Sequence, residues 1–163
     1  MTTFVFGENV TEAMKDTISC ALGAAAASGI GQKELDKAYK MGTAQNYVPC
    51  ADGDPIQAFV NAVEPFTVNQ GFSFGSVQRR GRKTVQNGAG QATLAVGDYV
   101  VAFTQVAIGT AGLAQVKKAP TTADVDATPT PDTVAIQTPF RWMVIRILTG
   151  TGVAGDQVLI ERI

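Results

Sequence analysis

The chain has 163 residues and a mass of 17.0 kDa, which is the size of one ordinary domain. Charged residues make up only 17% of it, against about 25% in typical soluble proteins, and the formal net charge is −1. This charge argues against nucleic-acid binding as the main function, and the absence of histidine excludes histidine-based catalysis and most zinc, copper and iron sites.

The first residues are predicted to form an arm. Phe4, Val5 and Phe6 make a short apolar stretch that is bounded by Gly7. A stretch of this kind can add a strand to the open sheet edge of a neighbouring protein. We therefore predict that the arm contributes contacts to another subunit.

A short helix is predicted after the arm, over residues 12–26. Thr11 is a suitable N-cap, and Met14, Ile18 and Leu22 recur every four residues, as they would on one face of a helix. The arm and the helix together define a predicted N-terminal unit that ends at residue 35.

No export signal or membrane-spanning segment is predicted. The uncharged run between Asp16 and Lys33 is too short and too rich in alanine to cross a bilayer, and no basic segment precedes it. We therefore expect synthesis in the cytoplasm. Cys20 and Cys50 are interpreted as small apolar residues rather than as a disulfide bridge.

From residue 36 onward the pattern predicts β-strands, so the protein is expected to be mainly β. Strands are predicted near 37–41 and at 56–63, 72–77, 83–86, 92–95, 99–104, 113–118, 140–148 and 157–163. Trp142 is assigned to a core strand, and Gly75 suggests a β-bulge. The main domain, residues 36–163, is predicted to be an antiparallel β-barrel or jelly roll.

A Gly-Asp pair precedes three of the apolar runs, at 53–54, 97–98 and 155–156. Glycine adopts a positive φ without steric cost, and an aspartate side chain accepts hydrogen bonds from nearby backbone N–H groups. We predict the same kind of turn at each of the three strand starts.

The segment 119–139 differs from the rest of the chain. It contains four of the seven prolines together with many threonines and few apolar residues. Both flanking regions have strand patterns, so this segment is predicted to be an exposed loop rather than a domain boundary.

One basic cluster surrounds Gly81. It consists of Arg79, Arg80, Arg82 and Lys83. One interpretation is the solvated tip of a hairpin between strands 72–78 and 83–86, and the other is a docking point for an acidic protein surface. Nucleic acid is less suitable, because no aromatic residues alternate with the arginines.

The segment Thr84–Val116 contains one charged residue, Asp98. A pair of core strands explains part of this composition. A subunit interface explains the remainder, because the cores of interfaces are depleted of charge. Both interpretations stay open at this point.

No catalytic, cofactor-binding or metal site is predicted, and we do not expect an enzyme. Asp52 and Asp54 resemble the start of a calcium loop, but the next alternate positions are apolar, so a turn is the better interpretation. The spacing of carboxylates such as Glu64 and Glu161 predicts no catalytic pair, and no Ser–Lys dyad is evident.

Several motifs occur in an order that resembles one family. They are Tyr-Val-Pro-Cys-Ala-Asp-Gly-Asp-Pro-Ile at 47–56, Gly-Phe-Ser-Phe-Gly-Ser-Val-Gln at 71–78, Leu-Ala-Val-Gly-Asp-Tyr-Val-Val at 94–101 and Gly-Asp-Gln-Val-Leu at 155–159. In this order they resemble the capsid cement, or head decoration, proteins of tailed bacteriophages. The resemblance covers residues 45–163 and lies in the order of the motifs more than in any single residue.

The resemblance implies a virion protein without catalytic residues or cofactor. Such a protein sits as a dimer or trimer on the outside of the assembled capsid and bridges subunits of the major capsid protein, without contacting nucleic acid or membrane. Capsid or subunit contacts are accordingly assigned to Phe4, Val5, Phe6, Arg79, Arg80, Arg82 and Lys83. The alternative interpretation is a phage tail, baseplate or adhesin-type β module that binds protein or glycan.

Overall fold

The computed structural model describes residues 16–23, 34–64, 74–103, 112–120 and 141–163, and within these ranges the regular structure is entirely β. The ten strands are β1 (Thr17–Ala21), β2 (Ala38–Met41), β3 (Tyr47–Pro49), β4 (Ala58–Val63), β5 (Phe74–Gln78), β6 (Arg82–Asn87), β7 (Tyr99–Ala102), β8 (Gln115–Lys118), β9 (Trp142–Ile147) and β10 (Gln157–Arg162). The predicted mainly β fold class is confirmed.

The strands form a five-stranded sheet and a five-stranded closed barrel. The sheet has the order β1-β5-β4-β2-β3, and all its strand pairs are antiparallel. The barrel has the order β10-β6-β8-β7-β9 and closes through the antiparallel pair β9–β10. Its one parallel pair is β6–β8. A closed barrel has no exposed strand edges, which protects it from edge-to-edge association.

The largest apolar core takes residues from all five barrel strands and from β2 and β4 of the sheet. Phe59 of β4 packs edge-on against Trp142 of β9, with ring centroids 4.9 Å apart, and both residues are fully buried. Ala38 belongs to the same core, whereas its neighbour Tyr39 faces a second core on the other side of the sheet. Strands β2 and β4 are therefore covered on both faces.

The predicted helix over residues 12–26 is wrong where the structure describes it, because Thr17–Ala21 is strand β1 and pairs with β5. The spacing of four between Ile18 and Leu22 suits a helix, but it is also a multiple of the two-residue period of a strand. Cys20, midway between them, packs in the same core, which only a strand allows. Thr11 and Met14 lie outside the described residues.

The predicted bulge near Gly75 occurs in the facing strand. Strand β4 has one extra residue, Asn61, between its pairs with Val77 and Ser76 of β5. A Cβ atom at position 75 would lie 2.2 Å from the carbonyl oxygen of Ala62, so the bulge requires glycine there. The bulge also shifts the alternation of β4, so Ala62 is exposed and Val63 is buried.

Most other predicted strands are confirmed with bounds that differ by a few residues; β6, for example, extends one residue beyond the predicted 83–86 at each end. The exception is 92–95, which is not a strand. Leu94 is buried and its N–H donates to the carbonyl oxygen of Gly152, at 2.9 Å, whereas the residues on either side of it are exposed. Strand β1 is part of the sheet, while the predicted domain division after residue 35 stays a prediction. The arm residues Phe4, Val5 and Phe6, and nearly all of the predicted loop 119–139, lie outside the described residues.

Candidate functional site

The basic cluster does not lie at a hairpin tip. Strands β5 and β6 belong to different sheets and do not pair, so the hairpin interpretation is wrong, and residues 79–81 carry the chain from the sheet to the barrel. The buried amide of Gln78 fixes this crossing, because its Nε2 donates to the carbonyl oxygens of Arg80 and Arg82, at 2.8 and 3.2 Å. The arginines are therefore held on a rigid backbone.

Strand alternation separates two members of the cluster. Lys83 points inward, where its Nζ lies 2.5 Å from a carboxylate oxygen of Asp36 and 6.0 Å from the ring centroid of Phe59. Arg82 points outward and pairs with Glu161 of β10, at 3.5 Å. Both charges thus hold neighbouring elements together within the molecule.

Arg79 and Arg80 have different environments. Arg79 forms an ion pair with Asp16, at 2.6 Å, which connects the crossing to the start of β1. Arg80 is exposed, and among the described residues it has no ion-pair partner. Of the four basic side chains assigned from the sequence as contacts, Arg80 and Arg82 are exposed, and Arg80 is the one without an ion pair among the described residues. Their contact role stays a prediction.

A further arginine, Arg162, joins this region and was not predicted. It continues the inward row of Val158 and Ile160 on β10, and its Nη1 donates to the carbonyl oxygen of Arg79, at 2.6 Å. Burial lowers the pKa of the Arg162 guanidinium, and the nearby positive charges of Arg80 and Arg79 lower it further. We call Arg79, Arg80 and Arg162 the arginine cluster.

The three predicted Gly-Asp turns are confirmed. Gly53, Gly97 and Gly155 have φ values of 79°, 96° and 90°. In each turn the aspartate N–H donates to the carbonyl oxygen three residues earlier, and the aspartate carboxylate accepts an N–H bond from that same earlier residue. Asp156 also accepts from the N–H groups of Thr151 and Gly152, so three donors converge on one oxygen.

Two loops meet at one end of the barrel. Residues 88–98 connect β6 to β7, and residues 148–156 connect β9 to β10. The fully buried Asn87 joins them, because its Nδ2 donates to the carbonyl oxygens of Ala92 and Gly152, both at 2.9 Å. We call residues 88–97 and 148–155 together the uncharged barrel end. Neither range contains a charged residue, and the carboxylates of Asp98 and Asp156, which follow them, accept N–H bonds from the same loops.

The surface of the uncharged barrel end consists of apolar residues and uncharged polar residues. Val96 is 63% exposed, Val153 is 47% exposed and Leu148 is 40% exposed, and most of the other loop residues are exposed alanine, glycine or threonine. An exposed surface free of charge and carrying apolar side chains is typical of a protein contact. The low charge of Thr84–Val116, which includes residues 88–97, left a subunit interface open as one interpretation, but nothing in the sequence predicted that 148–155 lies beside it.

A cluster of buried polar side chains lies at the start of β2. Glu34 and Lys37 are 1% and 2% exposed, and the hydroxyl of Tyr39 donates to Glu34 at 3.3 Å. Burial lowers the pKa of Lys37, and the charge of Glu34 opposes that change. The Lys37 ammonium has no hydrogen-bond partner among the described residues.

The remaining charged and thiol groups have structural surroundings. Asp54 pairs with Lys40 and Asp98 pairs with Lys118, both at 2.7 Å. Cys50 is a free buried thiol, and burial raises its pKa, which makes it a weak nucleophile at neutral pH. Within the described ranges no three side chains of the metal-binding types come together, and no helix has the length and apolarity to span a membrane.

No protein-family model matches the chain, and neither the curated proteins nor the solved structures include a significant match.

Proposed function

We propose that the protein is a structural virion protein that binds the outside of an assembled phage capsid and stabilises contacts between major capsid protein subunits. The resemblance of its motif order to capsid cement proteins suggests this role. The observation that carries it is the uncharged barrel end, a rigid surface with exposed apolar side chains. We further propose that it acts as a dimer or trimer on the capsid, with neither membrane nor nucleic acid as partner.

The uncharged barrel end suits repeated binding to an ordered surface. Its two loops are held by Asn87 and by the carboxylate of Asp156, so little conformational entropy is lost when they contact a partner. Exposed valine and leucine side chains contribute apolar area at about 25 cal/mol per Å² buried. The charges that border this surface, Asp98 and Asp156, already accept backbone N–H bonds from it, which lessens the desolvation cost of a contact.

Stabilisation of a capsid follows from binding linkage. A protein that binds only the assembled shell stabilises each site by about 2.7 kcal/mol when its free concentration is a hundredfold above Kd. Many such sites act together on one particle. An oligomer adds avidity, because each further contact forms within the same complex. The arm residues Phe4, Val5 and Phe6 remain proposed contacts of this kind.

The alternative role of a glycan-binding adhesin receives less support from the described residues. Glycan sites usually present an exposed aromatic face, whereas Trp142, Tyr39 and Tyr47 are all buried. The half-exposed Tyr99 is covered on one face by Arg141, whose guanidinium carbon lies 5.8 Å from the ring centroid. The uncharged surface favours a protein partner.

Co-sedimentation with expanded shells of the major capsid protein tests the proposal. We expect Val96→Lys and Val153→Lys to weaken attachment at least about tenfold, because each places a charge in the contact. Met41→Lys is the matched control, since Met41 is 48% exposed but lies in the sheet. Equal attachment of all three variants, each with an unchanged melting temperature, would contradict the assignment of this surface.

A further inference from the structure

We infer that the arginine cluster is a binding site for an acidic side chain of a partner protein, with Arg80 as the accessible residue. The inference deepens the proposed function, because it names the chemistry of a second contact. It rests on the proposed function only in one respect, namely the identity of the partner that supplies the carboxylate.

The backbone of the cluster is fixed by groups from both sheets. The side chain of Arg162 connects β10 to the crossing by donating to the Arg79 carbonyl oxygen. Its backbone N–H donates to the carbonyl oxygen of Gly81, at 3.3 Å. Gln78 holds the other side of the crossing. A site with a fixed backbone loses little entropy when a ligand binds.

The charge of Arg80 is not neutralised by the described residues that surround the cluster. Asp16 lies on Arg79, and Glu161 is occupied by Arg82 on the outward face of the barrel. Arg80 is exposed and has no carboxylate of its own among the described residues. In addition, Arg79 Nε is buried without a hydrogen-bond partner there. An added carboxylate would therefore reduce repulsion among like charges as well as pair with Arg80.

The geometry favours a carboxylate over a nucleic-acid backbone. A guanidinium group binds a carboxylate through two parallel hydrogen bonds. A nucleic-acid strand requires an extended series of free cations, but Arg82 and Lys83 are already paired within the molecule. At this crossing Arg80 is the one basic side chain that is exposed and has no ion pair among the described residues, which suits a single acidic side chain or a short acidic segment.

Titration of the full chain with a hexaglutamate peptide at low salt tests the inference, with the arginine Nε–Hε signals followed by NMR. We expect the Arg80 signal to shift and Arg80→Gln to weaken peptide binding about tenfold, the loss expected for one charge-assisted contact. Arg80→Lys should bind with intermediate affinity, because it keeps the charge but loses the two-point geometry. Arg146→Gln, which removes an exposed arginine of β9, is the control and should bind as the wild type does.

Two results would overturn the inference. One is equal peptide affinity of Arg80→Gln and the wild type, and the other is tighter binding of a thymidine oligonucleotide than of the peptide. If the peptide binds neither protein, the first of these results is met and the inference fails. Because the titration contains no capsid, that failure leaves shell attachment standing. Conversely, peptide binding without shell attachment contradicts the proposed function alone.

Discussion

The indole nitrogen of Trp142 donates a hydrogen bond to the backbone carbonyl oxygen of Ile56, at a distance of 3.1 Å. The bond joins β9 of the barrel to the segment that leads into β4 of the sheet, and both residues are buried. It therefore places a satisfied polar contact inside the core that the two units share, and it fixes how the sheet lies against the barrel.

Replacement of Trp142 by phenylalanine removes this bond and part of the core volume. We expect Trp142→Phe to lower the free energy of unfolding by about 3 kcal/mol, because a buried carbonyl group loses its partner and a cavity forms beside Phe59. Chemical denaturation followed by circular dichroism measures this change. Tyr99→Phe is a control at an exposed site and should change stability by about 0.5 kcal/mol or less. An equal effect of the two substitutions would show that the core contact is unimportant.

The Gly-Asp turns differ in how many donors their carboxylates satisfy. Asp156 accepts three backbone N–H bonds, whereas Asp98 accepts one and pairs with the half-exposed Lys118. We expect Asp156→Ala to cost about 2–3 kcal/mol and Asp98→Ala about 1 kcal/mol. Urea unfolding of both variants tests the order, and a larger cost at position 98 would contradict it.

The bulge in β4 depends on the missing side chain at position 75. Gly75→Ala places a Cβ against the carbonyl oxygen of Ala62, which is backbone and cannot rotate away. We expect a loss of about 2–3 kcal/mol in unfolding free energy, typical of overpacking. The neighbouring substitution Ser76→Ala should cost less than about 1 kcal/mol. Thermal unfolding of both variants tests this difference. Equal melting temperatures would contradict the close approach of position 75 to the Ala62 carbonyl oxygen.

The buried thiol of Cys50 predicts a loss of stability at alkaline pH. Burial raises its pKa, so the folded protein keeps this proton while the unfolded chain loses it above the ordinary thiol pKa of about 8.5. The unfolded state then binds fewer protons, and the free energy of unfolding falls as pH rises. The stability difference between the wild type and Cys50→Ala should shrink by about 1.4 kcal/mol per pH unit between about pH 9 and pH 10.

Subtraction of the Cys50→Ala curve is needed because other groups titrate in the same range. Tyr39, whose pKa is raised by burial and by Glu34, changes stability in the same direction as Cys50, whereas Lys37 changes it in the opposite direction. These contributions are common to both proteins and cancel in the difference. A difference that stays constant with pH would mean that the Cys50 thiol is accessible to solvent in the folded state.

Local chemistry made part of the fold predictable from the sequence. The turns at Gly97 and Gly155 depend on a positive φ of the glycine and on the side chain of the aspartate that follows it, so the residue types alone indicate them. The strand that contains Trp142 was predicted from its apolar pattern, which is also a local property of the sequence. At Ile18 and Leu22 the pattern was compatible with both a helix and a strand, and pairing with β5 decided the outcome.

The candidate sites depend on contacts between distant parts of the chain. The basic residues around Gly81 look like one cluster in sequence, but the crossing between two sheets directs Lys83 inward and leaves Arg80 exposed. Arg162 reaches the same place from 83 positions away along the chain. The loop at 148–155 likewise joins 88–97 only through Asn87. No local pattern predicts such meetings.

The composition of purified phage particles tests the central claim most directly. Quantitative mass spectrometry of particles from a phage that encodes this chain, combined with a cryo-electron microscopy map, should find the protein on the outer shell in a fixed ratio to the major capsid protein. The map should also place the uncharged barrel end against that shell. Mature particles that lack the protein, or that carry it only on the tail, would contradict the account.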